Sequence, residues 1–292
     1  MTDMTEASVL LARPAIPYGR FAHYFGRAAI YSTLGAIGAL QAFPLVWLVV
    51  TAFKNPREVF NSFLPSQLDF SNFVRVWSNL NLPGHLINSL YVTSLTVAIT
   101  LAAATLAGYV FARFRFFGRD ALFYIFLAAM MIPSQTILIP MFQFLKQIGL
   151  INTLTGLSFS YLGSAVAFSV FLMRSFFVSL PKELGDAARM DGAGEFRTFW
   201  YVYLPLAKSG VATVVIIQSM SVWNEFMFAN TFISSPGLKT IQSAVFQAVD
   251  EFSTDYGALC AGLMLALMPI VIVFLVLQKQ FVRGLTAGAL KG

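Results

Sequence analysis

The stretch Leu86–Ala112, LINSLYVTSLTVAITLAAATLAGYVFA, contains no charged side chain. A helix needs about 20 apolar residues to cross the hydrocarbon core of a bilayer, and this stretch is long enough to do so. Five further stretches are similarly long and almost as free of charge. The six predicted spans lie at about residues 28–53, 86–112, 121–145, 150–175, 207–232 and 256–279. The sequence therefore predicts an all-α polytopic membrane protein with six transmembrane helices.

The composition agrees with a protein whose fold is solvated by lipid. Hydrophobic residues make up 58% of the chain and charged residues 11%, which is unlike a soluble domain of 292 residues. The single cysteine, Cys260, lies in the last predicted span, so no disulfide forms within the chain and no cysteine cluster is available for a metal. We predict no metal site and no catalytic residues.

Lys and Arg concentrate on the cytoplasmic side of membrane proteins, which orients the spans. Placing both termini inside leaves few of the chain's 19 Lys and Arg residues outside: Lys54, Arg57, Arg75, Lys146 and Lys239. This orientation predicts a cytoplasmic N-terminal segment at residues 1–27, followed by one transmembrane domain at 28–292. It also places a polar loop, residues 180–205, in the cytoplasm.

The loop begins with a short helical pattern. Pro181 suits the first position of a helix, and Glu183 in that turn complements the helix dipole. Leu184, Ala187 and Ala188 then share one face, and Gly192 can end the helix in the left-handed conformation. We predict an amphipathic helix over 181–191 that is too short to cross the bilayer and so lies along its surface.

The loop also carries a spaced motif: Asp186-Ala187-Ala188, three residues, Gly192, nine residues, Val202, one residue, Leu204-Pro205. It resembles the cytoplasmic "EAA" loop of ABC-importer permeases, E-A-A-x3-G-x9-I-x-L-P, whose spacing it meets at every position. Two conservative departures are Asp186 for the usual Glu and Val202 for the usual Ile.

The resemblance extends to carbohydrate importers of the maltose-transporter type, in which this chain is similar to the smaller, six-span permease. Further matching pieces include Ile132–Gln135 and Trp223–Phe226. The resemblance implies a second, homologous permease, two cytoplasmic ABC ATPases, an external solute-binding protein, and alternating access. ATP and Mg²⁺ would bind to the ATPases, and no cofactor would bind to this chain. Its sequence contains no phosphate-binding G-x-x-x-x-G-K-[ST] loop. The resemblance implies that eight residues of the loop couple the chain to the ATPases: Glu183, Asp186, Ala187, Ala188, Asp191, Gly192, Leu204 and Pro205.

Polar residues within the spans are candidates for the substrate pathway. Glu225 is the only acidic residue in a predicted span, and it is either a pathway residue or a structural hydrogen-bond partner of another helix. Trp223 and Asn224 beside it offer an aromatic face and an amide to a sugar, or an interfacial anchor. Gln135 and Gln218 are either further pathway groups or contacts between helices.

Two rival functions belong to other classes. An ion-coupled secondary transporter would ordinarily show inverted repeats and several ionisable groups in its spans, whereas here Glu225 stands alone. A membrane-embedded enzyme would need a histidine or carboxylate pair for acid-base chemistry, and the predicted spans contain none. The sequence does not name the sugar.

Overall fold

The computed structural model describes residues 18–251 and 255–289, and these residues form helices, turns and loops without a strand. Thirteen α-helices occur in this part of the chain. They are α1 Tyr18–Ala52, α2 Ser71–Asn79, α3 Leu82–Arg113, α4 Arg119–Ala129, α5 Leu138–Gln147, α6 Leu154–Ser179, α7 Glu183–Met190, α8 Glu195–Thr198, α9 Leu204–Leu206, α10 Lys208–Trp223, α11 Met227–Phe232, α12 Ile241–Glu251 and α13 Tyr256–Ala289. The predicted N-terminal segment 1–27 lies outside the described residues up to position 17 and belongs to α1 from Tyr18 onward.

Four of the described helices are long and apolar enough to cross a membrane: Gly26–Ala52 of α1, α3, α6, and Tyr256–Val276 of α13. Two further candidates are bent pairs of helices, which bring the number of spans to six if each pair crosses once. The all-α, multi-pass prediction is therefore confirmed.

The third and fifth predicted spans are not single straight helices. Residues 121–145 form α4, the 3₁₀ turn Ser134–Ile137 and α5. The segment Ser134–Gln147 lies at 89° to α4, across a break at residues 130–133. Residues 207–232 form α10 and α11, separated by a break at residues 224–226. A second bend, of 74°, separates α10 from the helical segment Glu195–Leu206 that precedes it.

Prolines explain one of these breaks. Pro133 follows the end of α4, where its ring disfavours helical backbone at the preceding residue and its missing N–H cannot continue the helix. Pro44 and Pro269 instead lie inside α1 and α13, which continue past them. The break after α10 contains no proline, and its cause lies in Glu225, described below.

Close packing of α3 on α6 forms the centre of the fold. A β-carbon at Gly108 of α3 would lie 2.8 Å from Cβ of Met173 and 2.9 Å from the backbone nitrogen of Arg174, so the two backbones approach as closely as glycine permits. At the cytoplasmic end of this pair, Tyr109, Phe177 and Tyr203 belong to one buried cluster. That cluster supports α7, α8 and α9.

Candidate functional site

The amphipathic helix of the cytoplasmic loop is α7, Glu183–Met190, which is shorter than the predicted helix over 181–191. Leu180 is extended, with ψ 147°, and Lys182 is the residue that caps the helix, so Pro181 precedes the helix instead of opening it. Glu183 lies in its first turn as predicted, and Asp186 lies there as well, so both charges complement the helix dipole.

The packed face of α7 differs from the predicted one by a rotation. Gly185 and Ala188 are buried and Leu184 is half-buried, whereas Ala187 is exposed. Gly185 is the reason, because a β-carbon there would lie 2.7 Å from the hydroxyl oxygen of Tyr203. The helix turns its smallest residue toward this tyrosine, and Ala187 consequently faces solvent.

Gly192 ends α7 as predicted, with φ +79° in the left-handed region. Its N–H donates to the carbonyl of Arg189 at 3.0 Å, and the N–H of Ala193 donates to the carbonyl of Ala188 at 2.9 Å. These two bonds form a Schellman motif with glycine at the position that favours it. A β-carbon at Gly192 would meet nothing within 4 Å, so within this chain the cost of replacing the glycine is backbone strain alone.

The loop is bonded to the ends of two spans. Nη2 of Arg113, the last residue of α3, donates to the carbonyls of Phe177 at 2.5 Å and Leu180 at 2.8 Å. The same guanidinium lies 4.4 Å from the ring centroid of Tyr203. Through these contacts the ends of α3 and α6 and the segment before α10 form one connected unit.

Charged pairs link α7 to α8 on the exposed side. Arg189 donates to Asp186 at 2.8 Å and to Glu195 at 2.9 Å, while the hydroxyl of Tyr109 donates to Glu195 at 3.3 Å. The Glu195 carboxylate raises the pKa of Arg189, so this guanidinium stays charged at any pH the cell meets. Glu183, Asp186, Ala187 and Asp191 present exposed side chains on the same loop.

Leu204 and Pro205 lie in α9, immediately before the bend at Ala207 that leads into α10. Leu204 packs against the buried cluster of Tyr109 and Tyr203, whereas Pro205 is exposed. The pair therefore lies just before residues 207–232, the fifth predicted span.

Glu225 lies in the break between α10 and α11. Its carboxylate accepts hydrogen bonds from the backbone N–H groups of Phe228 at 2.9 Å and Ala229 at 3.1 Å, and from the Tyr161 hydroxyl at 2.5 Å. It therefore caps the start of α11 and ties it to α6. The geometry supports the structural interpretation of Glu225, and it explains how the span breaks without a proline.

Two other pathway candidates are also engaged inside the fold. The Trp223 side chain is buried and its Nε1 donates to the carbonyl of Ala266 in α13 at 3.0 Å. Buried Gln218 donates to the carbonyl of Ala165 at 3.2 Å and to Oγ of Ser169 at 3.0 Å, both in α6. These two side chains connect α10 to its neighbours, so the helix-contact alternative describes them.

The remaining pathway candidates, Asn224 and Gln135, are exposed. Nδ2 of Asn224 donates to the carbonyl of Met220 at 2.9 Å, and its Oδ1 accepts from Gln242 at 3.4 Å. Gln135 lies in the turn between α4 and α5, and within the described residues no hydrogen bond joins it to α10. Asn224 therefore remains the candidate whose side chain is accessible beside α10.

Arg113 and Tyr161 are the important residues that sequence reasoning missed. From the sequence, Arg113 is one of the positive charges that orient the chain, and Tyr161 is one residue of an apolar span. The sequence held no signal for either role, because their partners are a carbonyl and a carboxylate 64 residues away.

A membrane-embedded subunit with a helix held along its cytoplasmic surface is the arrangement of a transport permease. The chain belongs to the family described as binding-protein-dependent transport system inner membrane component, which it matches over residues 101–287. It is thus a multi-pass inner-membrane component of a transport system that depends on a binding protein.

Similar proteins cover most of the chain. A probable ABC transporter permease protein, YurM of Bacillus subtilis, is 37% identical over 92% of this chain and 90% of its own length. The diacetylchitobiose uptake permease NgcG of Streptomyces coelicolor is 31% identical over 85% of this chain and 83% of its own. The trehalose/maltose transport permease MalG of Thermococcus litoralis is 32% identical over 89% of this chain and 95% of its own.

A crystal structure of a bacterial ABC transporter involved in the import of the acidic polysaccharide alginate contains a chain of the same fold. The TM-score is 0.80 at 24% identity, over 90% of this chain and 98% of that one. This likeness confirms the fold.

Proposed function

We propose that this chain is one of two permease subunits of an ATP-driven importer that moves a sugar or oligosaccharide by alternating access. A binding protein delivers the carbohydrate, and two cytoplasmic ATPases bind ATP and Mg²⁺ and supply the energy. The chain itself catalyses no reaction. Support for a carbohydrate comes from the relatives, whose names include diacetylchitobiose, trehalose/maltose and arabinooligosaccharide transport.

The observation that carries the proposal is the way α7 is held. Its outer side presents Glu183, Ala187 and Asp191 to solvent, while its inner side rests on Tyr203. Arg113 then bonds this region to the ends of α3 and α6. A push on α7 by an ATPase would therefore move the ends of these spans with it, because packing against Tyr203 and the part-buried hydrogen bonds of Arg113 connect them.

The proposal is tested at Gly192, the residue that ends α7. The full transporter is reconstituted in vesicles with its binding protein, and sugar uptake and sugar-stimulated ATP hydrolysis are measured for wild type and Gly192→Asp. We expect both activities to fall to near background, because the substitution strains a backbone at φ +79° and adds a charge where the ATPase docks. Insertion and pairing with the second permease should remain intact, since the loop lies outside the lipid.

Gly194→Asp provides the matched control two residues away. Gly194 has φ −71° and open space around it, and it caps α8, a position that aspartate favours. This variant should keep most of the uptake. Wild-type uptake and stimulated ATPase activity in Gly192→Asp would show that this loop is not the coupling element.

A further inference from the structure

A polar cavity of about 570 Å³ opens beside α7, between this helix and the cytoplasmic end of α3. Of its lining residues, one, Asp186, belongs to the set assigned to ATPase coupling. Five cationic side chains and one acidic side chain line it, together with two tyrosines and an alanine. They are Arg113, Arg115, Arg119, Lys182, Arg189, Asp186, Tyr109, Tyr203 and Ala112.

Acidic partners compensate only some of these cations. Arg119 pairs with Asp120 at 2.8 Å, and Arg189 pairs with Asp186 and Glu195. In contrast, none of the described acidic residues forms an ion pair with Arg113, Arg115 or Lys182. The cavity thus gathers like charges whose mutual repulsion an anion would relieve.

The geometry of the hydrogen-bond donors in the cavity favours a phosphate group. Guanidinium groups donate in a planar fork that matches phosphate oxygens, and three arginines besides Arg189 line the cavity. Arg113 is already fixed by two carbonyls and the ring of Tyr203, so binding a ligand would cost it little conformational entropy.

The adjoining loop from α3 to α4 points to the membrane as the source of that phosphate. Its sequence, Phe114-Arg-Phe-Phe-Gly-Arg119, places exposed Phe116 and fully exposed Phe117 between two basic residues of the cavity. Aromatic side chains at the interface beside basic groups are typical of segments that contact anionic lipid.

We propose that this basic cavity binds a phosphate group, supplied by the headgroup of an anionic phospholipid in the cytoplasmic leaflet or by free phosphate. A carboxylate of the ATPase is the competing occupant. The cavity is lined by Lys182, Asp186 and Arg189 on one side of α7. Exposed Glu183, Ala187 and Met190 lie roughly 100° round the helix, on the side we assign to docking.

The test compares two double variants of the full-length chain, purified with the subunits that accompany it. Arg115→Gln with Lys182→Gln removes two of the three cavity cations that lack an acidic partner, and it removes no described side-chain hydrogen bond. Arg197→Gln with Lys208→Gln removes the same two charge types from exposed positions on the same side of the membrane, away from the cavity. The probes are nanodiscs of phosphatidylcholine with and without phosphatidylglycerol, and inorganic phosphate in detergent. Native mass spectrometry and melting temperature are the readouts.

We expect the first variant to retain phosphatidylglycerol or phosphate roughly tenfold less well than wild type, and the control to behave as wild type. If the wild-type complex retains phosphatidylglycerol, the phosphate group comes from lipid. If inorganic phosphate stabilises the wild-type complex and phosphatidylglycerol is not preferred over phosphatidylcholine, it comes from a soluble source. Equal losses in both variants, or no loss in either, would overturn the proposal. Loss of the ATPase from the first variant with unchanged phosphate and lipid binding would assign the cavity to an ATPase carboxylate and would overturn it equally.

Discussion

The cytoplasmic coupling segment, Leu180–Ala207, and the outer break, residues 224–226, both interrupt apolar helices, and both contain acidic residues. In the coupling segment the three acidic side chains of α7 and its end, Glu183, Asp186 and Asp191, are exposed, and their described hydrogen bonds and ion pairs are confined to the one between Asp186 and Arg189. Glu195 in α8 is also exposed, and it accepts from Arg189 and Tyr109. In the outer break, Glu225 accepts three hydrogen bonds from within the fold. An acidic residue at a break can therefore serve a partner or the fold itself.

The number of internal donors separates these two roles. Glu225 stabilises α11 by accepting from N–H groups that no earlier turn can satisfy. The acids of α7 leave most of their acceptor capacity unused, which is what a docking surface requires. The comparison predicts large stability effects at the outer break and small ones at the coupling segment.

The largest effect is expected for Glu225→Ala. This change removes the acceptor of three hydrogen bonds and leaves the N–H groups of Phe228 and Ala229 without it, at a cost on the order of 3 kcal/mol. The purified complex should melt several degrees lower and assemble in lower yield. Thermal unfolding followed by intrinsic fluorescence provides the measurement.

Glu225→Gln is the control, because its amide oxygen still accepts hydrogen bonds without the charge. It should recover part of the lost stability. If Glu225→Ala assembled normally and only slowed uptake, the residue would belong to the pathway, and the contrast between the two regions would fail.

A smaller loss is expected for Tyr161→Phe, which removes one of the three donors to Glu225. The two backbone donors remain, so the cost should be about 1 kcal/mol. Tyr124→Phe in α4 is matched in chemistry but exposed, and it should leave the melting temperature unchanged. A double variant with Glu225→Ala should show that the two losses are not additive, since both remove the same bond.

The sequence predicted the coupling segment better than the outer break, for a physical reason. Gly192, with its left-handed backbone, follows from the local pattern of α7. The rotation of that helix does not, because it depends on the contact between Gly185 and Tyr203, which are distant in sequence. The break at Glu225 was missed likewise, since a span interrupted by a side-chain cap has the same hydropathy as an unbroken one.

Prolines show the same limit within one residue type. Pro133 ends a helix and Pro269 does not, although both lie in apolar stretches. Local sequence marks where a helix can bend, whereas the neighbouring helices determine whether it does.

Asn224→Ala tests the accessible side of the outer break. Its side chain bonds within its own helix and, at 3.4 Å, to Gln242, so its removal should cost no more than about 1 kcal/mol. If Asn224 contacts the sugar, uptake should slow while assembly and basal ATPase activity stay intact. Normal uptake would place the sugar elsewhere and leave Asn224 as a surface residue.

The smallest change in stability is expected for Asp186→Asn in the coupling segment. Its ion pair with Arg189 is exposed, and Arg189 keeps Glu195 as a partner. The loss of stability should therefore be no more than about 0.5 kcal/mol, and the melting temperature should change little. Under the proposed coupling role, docking should nevertheless suffer, because Asp186 lines the basic cavity but is exposed and adjoins the docking side of α7. We expect less ATPase to co-purify with the permease, and more of the difference to appear at low salt, where charges are screened least. Glu183→Gln, the neighbouring exposed acid, should behave in the same way. A fall in melting temperature as large as that of Glu225→Ala would mean that Asp186 supports the fold, and internal donors would then no longer distinguish the two regions.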